Sequence, residues 1–77
     1  MKKLSNISVA ELRKVLSKIG LKEDGGRGGH ERWVRPGMKR PVVFPTHTEP
    51  VAEFIVRNIL RNIGMSKDEF LAYLDNI

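Results

Sequence analysis

The sequence predicts an α+β domain in which two helices cover one face of a small antiparallel sheet. Three observations predict it. Apolar residues recur at helical spacing over 9–19 and again over 50–63. Between those segments lie two short runs rich in β-branched and aromatic residues, parted by Pro36-Gly37. The order helix, strands, helix, short helix places both main helices on one side of the sheet and leaves the other side open to a ligand.

Each element has its own signals. Ser8-Val9-Ala10-Glu11 has the capping-box form, a serine followed three residues later by a glutamate. Val9, Leu12, Val15, Leu16 and Ile19 then share one helical stripe, and Gly20 suits the end of that helix. Leu21-Lys22-Glu23-Asp24 suits a short strand, and the glycines of 25–29 suit a turn or a flexible loop. Strands follow over 30–35 and 41–44, joined by the hairpin signal Pro36-Gly37-Met38-Lys39. Pro41 lacks an amide donor and fits the start of an edge strand, and Pro45 ends that strand. Alternation puts His30, Arg32 and Val34 on one face and Glu31, Trp33 and Arg35 on the other. Both sets are mixed, so the strand alone does not say which face points inward.

The second helix is expected over 50–63, with Ala52, Ile55, Val56, Ile59, Leu60 and Ile63 on its apolar stripe. Thr48 or Glu49 precedes Pro50, a residue at ease in a first helical turn, and Gly64 ends the element. A second capping box, Ser66-Lys67-Asp68-Glu69, opens a short last helix carrying Phe70, Leu71, Tyr73 and Leu74. The expected core is Leu12, Val15, Leu16, Ile19, Ile55, Val56, Ile59 and Leu60.

With 77 residues the chain has room for one domain, residues 1–77, and a thin core. It has no cysteine and two histidines, so a disulfide framework and a thiolate metal site are excluded, and no metal or cofactor is expected. No apolar run approaches the roughly 20 residues that span a membrane. The basic start is not followed by the apolar stretch of a signal peptide, and the cytoplasm is the expected location. The net charge is +5 and unevenly placed. Between 27 and 44 stand Arg27, Arg32, Arg35, Lys39 and Arg40 against a single acid, Glu31. A basic segment of this density attracts polyanions, nucleic acid first among them.

His30 is the sharpest chemical feature. It follows Gly28-Gly29 and opens the basic strand. An imidazole exchanges protons near neutral pH. In RNA, a base that takes the 2′-hydroxyl proton turns that oxygen into a nucleophile against the adjacent phosphorus. Cationic side chains can offset the growing phosphoryl charge without a metal, and Arg27, Arg32, Arg35 and Arg40 lie near in sequence. The competing reading is an ordinary surface histidine at a loop–strand junction. His47, in Pro45-Thr46-His47-Thr48, is either a second proton-transfer group, a phosphate contact or a turn residue, and the two threonines are simplest as helix caps. Trp33 either stacks on a base or belongs to the core. The glycine run lacks the spacing of a nucleotide-binding fingerprint, and no serine-hydrolase elbow is present.

Three stretches of the sequence resemble the HicA family of toxins. One is Leu12-Arg13-Lys14-Val15-Leu16-Ser17-Lys18-Ile19-Gly20-Leu21. The next is Gly28-Gly29-His30 with the strand and Pro36-Gly37 behind it. The third is Val42-Val43-Phe44-Pro45-Thr46-His47, followed by a helix ending Ile59-Leu60-Arg61-Asn62-Ile63-Gly64-Met65-Ser66. Gly29 departs from the pattern, standing where the family usually has serine, and Gly25-Gly26 replace more polar residues. The resemblance implies an α-β-β-β-α fold like a double-stranded-RNA-binding domain, with a short helix appended. It also implies a metal-independent mRNA interferase with His30 as its catalytic histidine, held inactive by a HicB-type antitoxin. The expected RNA contacts are Arg27, Gly28, Gly29, Arg32, Arg35, Lys39, Arg40 and His47. The free form is expected to be a monomer that oligomerises through the antitoxin. Two rival readings are a non-catalytic RNA-binding module and a DNA binder using Arg57 and Arg61, the latter without a helix–turn–helix pair to support it.

Overall fold

A computed structural model describes residues 4–76; the basic start at residues 1–3 and Ile77 lie outside the described residues. After a single 3-10 turn at Leu4–Asn6 come α1 (Val9–Lys18), β1 (Lys22–Glu23), β2 (His30–Val34), β3 (Val42–Pro45), α2 (Glu53–Ile63) and α3 (Lys67–Asp75). The strands form one antiparallel sheet in the order β1-β2-β3. This is the helix, sheet, helix, helix order that the sequence predicts.

Local chemistry sets the helix ends. The Ser8 hydroxyl accepts from the Glu11 amide at 3.0 Å, and the Glu11 carboxylate accepts from the Ser8 amide at 3.0 Å. Ser66 and Glu69 repeat the same reciprocal pair at the start of α3. At the end of α1 the Leu21 amide reaches back to the Leu16 carbonyl and the Gly20 amide to the Ser17 carbonyl. Those two bonds satisfy carbonyls the helix cannot serve itself.

The second helix departs from expectation. It starts at Glu53 rather than at Pro50, and its cap, Ala52, makes no side-chain bond. The reason is packing. Val51 donates its amide to the Ile7 carbonyl at 2.8 Å and pairs with Ile7 as an isolated bridge, so both side chains are buried. Glu49 also serves another element, because its carboxylate accepts from the Val9 amide at 2.6 Å. A carboxylate there meets an orphan donor and the positive end of α1 together.

The inner sheet face carries Trp33, Val42 and Phe44, which join Leu12, Val15, Leu16, Val56, Ile59, Leu60, Phe70 and Leu74 in one core. Ile19 and Ile55, expected inside, are half-buried at its margin, while Leu4, Ile7, Leu21 and Val51 complete it. His30, Arg32 and Val43 are exposed on the outer face. Both main helices therefore cover one side only.

Glu31 lies on the inner face with 9 % of its surface exposed. Its carboxylate accepts from Arg13 of α1 and, at 2.9 Å, from the Trp33 indole N–H. The Arg13 hydrogen bonds hold the Glu31 carboxyl below the usual carboxylate range, against the opposing effect of burial; the Trp33 bond adds to the lowering. The same bonds raise Arg13. Arg35, just past β2, donates to the carbonyl of Ile19, the residue that caps α1, at 3.1 Å, so the strand is tied to that helix near both of its ends.

Glu31→Gln is expected to lower stability near neutral pH. The folded carboxyl titrates below its unfolded value, so its contribution is complete above an unfolded pKa of about 4.3. That contribution is lost as pH falls through the lower folded value. Thermal unfolding should show a gap between wild type and variant at pH 7 that closes in acid. A gap constant with pH would show that the charge of Glu31 contributes nothing.

Candidate functional site

The pairing of β2 with β3 brings His30 opposite Pro45. This end of the hairpin also receives the glycine loop before β2 and the segment after β3. One backbone oxygen joins them. The Gly29 carbonyl accepts from the Thr46 amide at 2.7 Å and from the Thr46 hydroxyl at 2.9 Å, and it lies 3.3 Å from Nδ1 of His47. Thr46 thus ties strand to loop and caps no helix. The His30 and His47 rings stand edge to face, with centroids 6.1 Å apart and planes at 75°, both exposed to solvent.

Two glycines of this loop stand in close quarters. At Gly26, with φ +150°, an added Cβ would collide with the His30 carbonyl, so the loop packs directly on the strand backbone. At Gly29, with φ +84°, a Cβ would come 2.5 Å from Nδ1 of His47. The bare α-carbon makes room for the imidazole. A turn from the Arg27 carbonyl to the His30 amide, at 3.0 Å, completes the approach to β2.

The expected contact residues fall into two groups. Arg27, Gly28, Gly29 and His47 surround His30, and Arg32 follows it on the outer face, 3.7 Å from the Asp24 carboxylate. Arg35, Lys39 and Arg40 lie at the other end of the hairpin, about 17 Å along the strand at ~3.3 Å per residue. There they line an open groove of about 840 Å³ with Asn58, Arg61 and Asn62 of α2. Asn62 donates to the Arg40 carbonyl at 3.3 Å and fixes the edge of that groove. In the sequence Arg61 carries weight only for the DNA-binding reading. Its position facing the hairpin turn depends on how α2 crosses the sheet, which no local pattern records.

The charge layout follows from the facing of β2. The one acid of the basic segment is turned under the sheet and paired with Arg13, so its charge does not offset the outer face. Among the described residues no cluster of three or more histidines and carboxylates could hold a metal ion. No described helix is long and apolar enough to cross a membrane.

Residues 9–65 match the family model described as the HicA toxin of bacterial toxin-antitoxin systems. The chain belongs to the HicA toxin family. The match runs from the first residue of α1 to just beyond α2 and so includes the sheet, the glycine loop and both histidines. No curated protein matches the chain. As a HicA protein, the chain is the toxin of a toxin–antitoxin pair, and the family implies an antitoxin partner.

The two glycine environments make a ranking. Gly28→Ala, where an added Cβ meets open space, should cost about 1–2 kcal/mol, the ordinary cost of a left-handed side chain. Gly26→Ala should cost more, because the His30 backbone must move as well. Chemical denaturation of the two variants checks the order, and equal losses would contradict the close packing of this loop on β2.

Proposed function

We propose that this HicA toxin is a metal-independent endoribonuclease that cleaves mRNA, with His30 as an acid–base group. One observation carries the proposal: His30 stands solvent-exposed on the open sheet face, with Arg32 on the same face and the glycine loop that carries Arg27 beside it, in a chain of the HicA family. In the proposed reaction the 2′-oxygen attacks the adjacent phosphorus as its proton is removed. The new O–P bond forms as the bond to the 5′-oxygen breaks, leaving a 2′,3′-cyclic phosphate and a 5′-hydroxyl. Arg27 and Arg32 supply the positive charge that the phosphoryl oxygens need as that bond changes. Lys39, Arg40 and the more engaged Arg35 hold the RNA backbone farther along.

The proposed off-state is a HicB-type antitoxin lying over the sheet face that bears His30. That face is the one no helix covers, and it presents Val43, half-exposed, between the basic residues.

Purified protein incubated with RNA in the presence of a chelator should give discrete fragments. His30→Ala should cut about 100- to 10,000-fold more slowly, the usual contribution of an acid–base group, while its thermal unfolding stays close to wild type. Wild-type cutting by the variant would remove His30 from the mechanism, and RNA binding without cutting by either protein would favour a non-catalytic module. Arg32→Ala should weaken RNA binding and flatten the plot of log affinity against log salt by about 0.7, the share of one phosphate contact on a single strand. An unchanged slope would place the RNA path away from this strand.

A further inference from the structure

Transfer of an RNA phosphoryl group in the way proposed above moves two protons. One leaves the 2′-hydroxyl, and another must reach the departing 5′-oxygen. The two oxygens stand in line on opposite sides of phosphorus, so one side chain is badly placed to serve both. The site contains a second imidazole, His47, with its ring centroid 6.1 Å from that of His30.

We propose that His47 is the second catalytic group, the general acid that protonates the 5′-oxygen while His30 takes the 2′-hydroxyl proton. The assignment rests on the endoribonuclease reading. Three features of the site carry it. With centroids 6.1 Å apart the rings are too distant to bond each other. Two separate imidazoles side by side can each present a nitrogen to a different oxygen of one phosphodiester, which a single ring cannot do. The second feature is the orientation of His47. A carbonyl oxygen only accepts, so the tautomer with its proton on Nδ1 is the one that bonds Gly29, and in it Nε2 is the nitrogen that exchanges a proton with a substrate. The ring keeps that anchor whether Nε2 is protonated or bare, and it stays aimed through a turnover. The third is the space made for it. Gly29 has no side chain to push the ring away, and the Thr46 amide and hydroxyl hold the loop on the same carbonyl.

The balance closes within the chain. His30 gains the proton that the nucleophile loses, and His47 gives up the proton that the leaving group gains. Each then returns to its starting state by exchange with water.

The test uses a short oligoribonucleotide carrying the cleavage site mapped with the wild-type protein, and the same oligonucleotide with sulfur in place of the bridging 5′-oxygen. A thiolate leaves without being protonated, so the sulfur substrate does not need the acid. On the oxygen substrate both His47→Ala and His30→Ala should be slower by about 100- to 10,000-fold. On the sulfur substrate His47→Ala should recover to near the wild-type rate and His30→Ala should remain slow. His47→Asn keeps a donor for the Gly29 carbonyl but cannot transfer a proton, and it should behave as His47→Ala does. Recovery of the oxygen-substrate rate in His47→Asn would overturn the proposal in favour of a purely positioning role. A defect of His47→Ala that is equal on both substrates would overturn it in favour of a binding contact. If the wild-type protein cuts neither substrate, the endonuclease reading fails, and the assignment of His47 falls with it.

Discussion

A carboxylate lies under a sheet at low cost only when donors meet it, and Glu31 is met by the Arg13 guanidinium and the Trp33 indole. That contact fixes which way β2 faces. Because strand side chains alternate, one residue turned inward commits its neighbours outward. His30 and Arg32 stand on the open face because Glu31 does not. The same contact anchors α1 across the strand, and it removes from the outer surface the one negative charge of the basic segment. The facing of β2 and its surface charge thus go together, with buried Trp33 on the same inner face as Glu31.

The second fixed point is the Gly29 carbonyl, where β2, β3 and the segment beyond β3 converge. Its partners are separated from it by seventeen or eighteen residues of chain, yet they sit on one oxygen atom. The connections at this point are hydrogen bonds instead of side-chain packing, since neither histidine is buried. A site built in this way keeps its two rings open to solvent and still holds them in register. The glycines around it give the backbone the close approach that packing side chains would prevent.

Much of the fold was legible because it is written in local chemistry. Both serine capping boxes, the Gly20 and Gly64 helix ends and the hairpin at Pro36-Gly37 depend on residues within a few positions of each other. The same holds for the apolar stripes. What was not legible depends on residues far apart in the chain. The start of α2 moves to Glu53 because Val51 is drawn to Ile7, and Glu49 caps α1 instead of its own helix. Arg35, attractive in sequence as a phosphate contact, is engaged by the Ile19 carbonyl. His30 stood out by its neighbours. The nearness of His47 to it needs the register of β2 with β3, and no pattern within either strand contains that register.

The part of the chain beyond the family match is no ornament. Phe70 has no exposed surface and Leu74 has 5 %, and both lie in the core beside residues of α1 and α2. Burying a side chain of this kind is worth about 1.5–3 kcal/mol. A domain of this size has little stability to spare. An independently stable form of this toxin is therefore expected to run past the matched residues 9–65, and a fragment ending near Met65 would expose the core side chains that Phe70 and Leu74 cover.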